Sequence, residues 1–207
     1  MAPPWFPLAR WDALQPDLLD GLSPSGLRAF YAQCTPRIFA TRTEILTQGE
    51  ETACAFLIVE GHVEVTFVDM DGNTIIAYVG NPGEVMGEVE LLSGKSCAAT
   101  CQALPGARLL SFNAALLMRC APTEMILRNF ARILHGRLVR DQHLQAIAQF
   151  YPAEARICLH LLRLATRDRY ELHLSQAQLA QLAGCSRQTV NRTLAALREQ
   201  RIIEQRR

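Results

Sequence analysis

From Arg37 to Phe112 the sequence repeats every two residues, and past Phe112 it repeats with a helical period. No single layer of secondary structure accommodates both patterns, so a β-rich body must be followed by helices. In the first part Val63, Val65 and Phe67 alternate with His62, Glu64 and Thr66, which marks a half-buried strand. Asp71-Gly72-Asn73 is a hairpin turn signal, after which Ile75, Ala77 and Val79 resume the alternation. Breaks at Gln48-Gly49-Glu50, Gly61, Asn81-Pro82-Gly83, Ser93-Gly94 and Pro105-Gly106 space the strands as in a sandwich or barrel. Ahead of them Pro3, Pro4, Pro7, Pro16 and Pro24 predict an irregular lead-in, then a short helix from Ser25 to Gln33.

No proline interrupts Thr123 to Phe150, and Gly136 is its one glycine. The spacing predicts one helix, about 42 Å long at ~1.5 Å per residue. Leu127, Ala131, Leu134 and Leu138 form a heptad-like seam that turns polar at Asp141 and Gln145 before Ala148. Ile126, Phe130 and Ile133 lie off that seam. Two apolar sides suit a helix that packs on its own barrel and on the same helix of a second copy. Tyr151-Pro152 ends it, and helix resumes with Ile157, Leu161, Leu162 and Leu164 as the core face. The expected division is 1–121, lead-in and β-rich domain; 122–150, dimerisation helix; 151–207, helical unit.

The stretch from His173 to Glu204 carries the chemistry. Ser175 followed by Gln178 is a capping-box pattern, and Leu179, Leu182 and Ala183 give the helix after it an apolar face. Gly184 can end that helix at positive φ, Cys185 fills the turn, and Ser186 caps a second helix. Val190, Leu194 and Leu197 then point inward and leave Arg187, Gln188, Asn191 and Arg192 outside. Two helices joined by a short glycine turn, with long polar side chains early in the second, form a helix-turn-helix. The major groove admits one helix, whose N-terminal end meets the bases. Arg can pair with guanine through two hydrogen bonds and Gln with adenine. Ser175, Gln176 and Ser186 sit at helix starts, where backbone N–H groups favour phosphate.

Charge agrees with that assignment. Residues 1–151 carry a net −4 and residues 152–207 a net +5. With 49% apolar residues the chain can bury a core, yet its longest apolar run, Ala53 to Val59, cannot span a bilayer, so no membrane partner is expected. The opening Met-Ala-Pro-Pro-Trp-Phe-Pro lacks the basic start of a secretory signal, and seven scattered cysteines suit a reducing cytoplasm. No nucleophile-base pair, phosphate loop or metal box is visible, so neither an enzyme nor a metal site is expected. Cys97 and Cys101, four apart on one strand, would stand ~13 Å apart and serve as apolar filler.

The segment Gly184-Cys185-Ser186-Arg187-Gln188-Thr189-Val190-Asn191-Arg192-Thr193-Leu194 resembles the recognition helix of the bacterial cyclic-AMP receptor protein and fumarate-nitrate regulator (CRP/FNR) family, which reads G-x-S-R-E-T-V-x-R-x-L there. Phe56-Leu57-Ile58-Val59-Glu60-Gly61 with Val63 and Val65 resembles that family's β-roll. Gly87-Glu88-Val89 with Leu91-Leu92 resembles the start of its phosphate-binding cassette, and the helix from Thr123 its dimerisation helix. The resemblance implies an α+β fold: an N-terminal cyclic-nucleotide-binding-like β-roll, a long dimerisation helix and a C-terminal winged-helix-like helix-turn-helix. It also implies a homodimer that binds an inverted repeat in double-stranded DNA, responds to a small effector and engages RNA polymerase. By the same resemblance Arg187 and Arg192 contact guanines and phosphates. Gln188 stands where the family has a base-reading Glu, which shifts the expected base from cytosine towards adenine.

The chain departs from the family in the roll. Glu88 matches the residue that accepts a ribose hydroxyl, but the family's phosphate-holding Arg-Ser pair is replaced by Cys97 and Ala98. Lys95 is a nearby point charge, Arg137 matches a position that reaches the partner's phosphate, and Asp141 one near the purine. The expectation is therefore an unidentified effector held by Gly87, Glu88, Val89, Lys95, Cys97, Ala98, Arg137 and Asp141, and not ordinary cyclic-AMP binding. The alternatives are a constitutive DNA binder, a redox sensor using Cys97 in the vacated pocket, or a haem gas sensor. The family's wing is expected to be absent or cut to one strand from Ile202, with Arg206 and Arg207 partly replacing its phosphate contacts.

Overall fold

A computed structural model describes residues 14–164 and 175–204, in two compact units, Met1–Gly136 and Arg137–Arg207. The first unit opens with a 3₁₀ turn, Asp17–Leu19, and helix α1, Pro24–Tyr31, capped by the Ser23 hydroxyl, which accepts from the Gly26 amide at 3.2 Å. The strands follow: β1 Thr35–Ile38, β2 Thr43–Leu46, β3 Ala55–Glu60, β4 Val63–Val68, β5 Thr74–Gly80, β6 Val85–Met86, β7 Thr100–Ala103 and β8 Arg108–Phe112. Helix α2, Glu88–Ser93, interrupts them, and α3, Ala114–Cys120, closes the series. Two four-stranded antiparallel sheets result, ordered β1-β8-β3-β6 and β2-β7-β4-β5.

The apolar run that reads as too short for a membrane is strand β3, buried on both faces. Phe56 and Ile58 enter a core between the sheets, with Leu46, Val63, Met86, Ala103 and Leu109. Ala55 and Leu57 face the other way into a core shared with Leu18, Phe30, Tyr31, Phe112, Leu117 and Ile126. Helices cover one sheet and that sheet covers the other, an arrangement that needs a strand apolar on both sides.

The hairpin corrects the expected phase of alternation. Val63 is buried and Val65 packs on the inter-sheet core as the alternation expects, but Glu64 is buried beside them, Phe67 is 40% exposed, and in β5 it is Ile76, not Ile75, that is buried. The register slips between Val65 and Thr66, so Val65 faces Tyr78 and Thr66 faces Ile76. A bulge of this kind shifts the side-chain phase, and the unbroken run Ile75-Ile76-Ala77-Tyr78-Val79 could not reveal it. Arg42 pairs with the buried Glu64 carboxylate, which makes that burial tolerable.

Helix α4 runs Thr123–Phe150, as its spacing predicts. Its first turns belong to the roll. Asn129, 1% exposed, donates through Nδ2 to the carbonyls of Leu18 at 3.1 Å and Asp20 at 2.8 Å. Ile126, Phe130 and Ile133 pack on the outer core. Leu127 and Leu138 of the seam stay 66% and 61% exposed, and Leu134 is half-buried.

The second unit continues after Tyr151-Pro152 with α5, Ala153–Leu164, then α6, Gln176–Ala183, and α7, Arg187–Glu199. Its core joins Ile157, Leu179, Ala180, Ala183 and Val190, with Leu161, Cys185 and Leu194 against it. Leu162, expected in this core, is 71% exposed. Ile157 and Leu161 share a face at four-residue spacing, and Leu162 falls one residue round from it. The side chain of Leu164 lies outside the described residues. No described helix is long and apolar enough to cross a membrane.

Candidate functional site

The helix pair α6–α7 is built by its caps. The Ser175 hydroxyl accepts from the Gln178 amide at 3.1 Å, and the Gln178 side-chain oxygen accepts from the Ser175 amide at 2.9 Å, which completes the capping box. Gly184 ends α6 at φ +56°, a left-handed conformation that costs most residues but not glycine. The Cys185 amide then donates to the Ala180 carbonyl at 3.0 Å, so the turn uses the backbone groups that the helix end leaves over. Ser186 caps α7, its hydroxyl accepting from the Thr189 amide at 3.1 Å.

These caps fix which side of α7 is outside. Val190 is fully buried, and Thr193, 7% exposed, turns its hydroxyl back to the Thr189 carbonyl at 2.9 Å. Thr193 is a core contact that an apolar-only pattern misses. Arg187, Gln188, Asn191 and Arg192 are all exposed along the first turns, Ser175 and Ser186 are exposed at the helix starts, and Gln176 is half-buried.

Two residues of α5 that no local pattern singles out act on this surface. Glu154 accepts from Arg192 Nη2 at 2.7 Å, with the side chains 50% and 72% exposed. The Glu154 carboxyl is held below the usual carboxylate range by a backbone hydrogen bond first and by Arg192 next. Arg156 donates from Nη1 to the Ala148 carbonyl at 3.1 Å and from Nη2 to the Gly184 carbonyl at 3.0 Å. Sequence separations of 38 and 28 residues put both links beyond any helical periodicity.

Past α7 the chain turns and does not form a strand among the described residues. Arg201 takes φ +57°, its amide donates to Arg198 and the Ile202 amide to Leu197, both at 2.9 Å. This closes the helix as a Schellman turn around a residue other than glycine. Arg206 and Arg207 lie outside the described residues.

In the roll, β6 leads into α2 through Gly87 at φ +83°, where an added Cβ would stand 2.8 Å from Leu46 Cδ1. Glu88 is buried, Val89 half-buried, and Lys95 and Ala98 are exposed. Cys97 is not on the strand with Cys101. It precedes β7, in a loop pinned by the Cys97 amide on the Glu50 carbonyl at 2.7 Å and by the Gly49 amide on the Cys97 carbonyl at 2.8 Å. Its side chain is 4% exposed within the inter-sheet core. Burial, then Glu90 and Glu50, push its thiol above the usual range, which disfavours the thiolate a redox sensor needs. Both cysteines are buried in the inter-sheet core, and the expected placement of Cys97 on one strand with Cys101 is corrected. Arg137 and Asp141 fall in the second unit; Asp141 is exposed, with Arg140 Nε 3.9 Å from its Oδ1. A surface cavity of about 340 Å³ beside α3, lined by Gln33, Cys54, Ser111 and Arg119 among others, includes none of the expected effector residues.

A roll of two antiparallel sheets, a long helix and a capped helix-turn-helix, in that order along the chain, define a class of transcription regulators. The cyclic nucleotide-binding domain model matches residues 36–123 and the Crp-like helix-turn-helix model residues 155–207. The chain belongs to the CRP/FNR family of transcription regulators. The cyclic AMP receptor protein of Thermus thermophilus is 28% identical over 189 residues, covering 90% of this chain and 87% of that protein. The CRP-like cAMP-activated global transcriptional regulator of Mycobacterium tuberculosis is 27% identical over 187 residues, covering 86% and 84%. The crystal structure of a second Thermus thermophilus protein, a transcriptional regulator of the CRP family, is 29% identical, covers 83% of this chain and 88% of that one, and superposes with a TM-score of 0.64. These relatives are regulators, not enzymes.

Proposed function

We propose that this chain works as a homodimer, reads an inverted-repeat operator through α7, and is controlled by a small effector in the roll. The observation that carries the reading is the division of α7. Val190 and Thr193 are buried while Arg187, Gln188, Asn191 and Arg192 are exposed at its N-terminal end. That is the end of a recognition helix that meets base edges. Gln188 selects adenine where the family's Glu selects cytosine. The exposed Leu127 and Leu138 seam supports pairing with a second copy, and RNA polymerase is the partner that family membership suggests.

The relatives' names include activation by cyclic AMP. In this chain Cys97 and Ala98 stand at the positions of the phosphate-holding Arg-Ser pair, and the reading here is an effector other than cyclic AMP in its ordinary mode. The test is binding-site selection with the pure full-length protein, followed by gel shifts of the selected site with the wild type and Arg187→Ala. The expected site is an inverted repeat that departs from the family consensus at the Gln188 position. Arg187→Ala is expected to remove about 1–3 kcal/mol of discrimination at one base pair and to leave the dimer intact. Failure to shift any selected fragment at low salt would overturn the proposal.

A further inference from the structure

The loop from Gly94 to Thr100, between α2 and β7, is where a phosphate-bearing effector would look for backbone donors. Anion sites in proteins are made from N–H groups that converge on one point with no partner of their own. In this loop the Gly94 amide closes α2 on the Glu90 carbonyl at 2.8 Å, and three further amides are committed to oxygens of the chain itself. The Lys95 amide donates to the Ser93 hydroxyl at 3.3 Å, and the Cys97 amide to the Glu50 carbonyl at 2.7 Å. The Ala98 amide donates to a carboxylate, Glu90 Oε1, at 3.2 Å. Glu90 belongs to α2, two residues on from the buried Glu88, and is itself half-buried.

We infer that Glu90 is a resident anion that occupies the roll's phosphate-receiving amide, so that the effector site rejects cyclic nucleotides and other phosphate esters. The inference rests on reading the roll as the effector domain. The charge distribution agrees with it. Burial first, and then the Glu90 and Glu50 carboxylates, push the Cys97 thiol up, so two anionic side chains already act on this loop. Lys95, the chain's one lysine, has an exposed side chain. A phosphate brought to the Ala98 amide would displace a carboxylate and then remain within a few ångströms of it, with like charges repelling at close range. Ligands that fit such a loop are those that offer a donor to Glu90.

The experiment compares wild type with Glu90→Ala and Glu90→Gln in the full-length protein. Alanine keeps α2 helical and removes the carboxylate, whereas glutamine keeps an oxygen for the Ala98 amide and removes only the charge. The protein is labelled with ¹⁵N-alanine, and the Ala98 amide is followed during titration with cyclic AMP and, separately, with inorganic phosphate. In the wild type the Ala98 resonance is expected to stay in place through millimolar ligand. In Glu90→Ala it is expected to move saturably, with cyclic AMP bound at least tenfold more tightly, and Glu90→Gln is expected to fall between the two. Equal cyclic-AMP affinity in wild type and Glu90→Ala overturns the inference. So does an Ala98 resonance that no variant allows to move, because Glu90 is then not what excludes phosphate. Unfolding temperatures within a few degrees of wild type show that the fold is kept, and a collapsed Glu90→Ala leaves Glu90→Gln to decide. Gel shifts on the same samples keep the two readings apart. A wild type that shifts no operator sinks the DNA reading, while the Ala98 titration still decides the role of Glu90.

Discussion

Replacing Glu154 with alanine isolates what Arg192 does. In the free protein its guanidinium sits 2.7 Å from Glu154, both side chains well exposed to water. Exposed pairs add little to folding, so Glu154→Ala is expected to melt within a degree or two of the wild type. On DNA the balance differs. A carboxylate beside the recognition helix opposes one unit of phosphate neutralisation and ties down the cation that would supply it. Counterion release gives a slope of about −0.9 in log K against log salt for each phosphate neutralised. Removing Glu154 is expected to steepen the slope by close to that amount. Between 50 and 200 mM salt the variant's advantage in operator affinity should therefore shrink by about threefold. The assay is fluorescence anisotropy with a labelled operator at four or more salt concentrations, run beside a thermal melt. An unchanged slope with unchanged affinity would refute the reasoning, since Arg192 would then not face the DNA backbone. A slope change accompanied by a lowered melting temperature would show that the pair is structural.

Val190→Ala removes two buried methyl groups from the core of the helix pair, and at ~0.8 kcal/mol each plus a small cavity it is expected to cost about 2 kcal/mol in urea unfolding. Arg201→Gly relieves a left-handed conformation at φ +57° and is expected to raise stability by roughly 0.5–1 kcal/mol, read as a higher melting temperature. Leu127→Glu together with Leu138→Glu places charge on the exposed seam of α4 and is expected to yield monomers in sedimentation while the far-ultraviolet spectrum stays helical.

The exposed face of the helix pair α6–α7 is nearly all legible in the sequence, because it is made of local rules. Caps act over three residues and helical faces over three or four, so Ser175, Gly184, Ser186 and Val190 announce the geometry without help from the rest of the chain. Contacts that cross between elements were not legible. Glu154 reaches Arg192, and Arg156 reaches Gly184, through folding alone. Thr193 escaped because a hydroxyl bonded to its own helix passes as core. In the roll, the strands were visible but their phase was not. The bulge at Val65 and the run of apolar residues in β5 leave period two undefined, and Cys97 was placed on a strand that begins only at Thr100. Glu90 carries no sequence signal beyond being an acid in the first turn of α2, where acids are ordinary.

Arg156 grips two carbonyls at once, one near the C-terminus of α4 and one in the elbow just ahead of the reading helix. A single planar fork thus splices the last turn of the long rod to the hinge of the DNA-facing pair. A shorter side chain at this position would release both carbonyls at once, which makes one residue the shared donor of two otherwise separate chain ends.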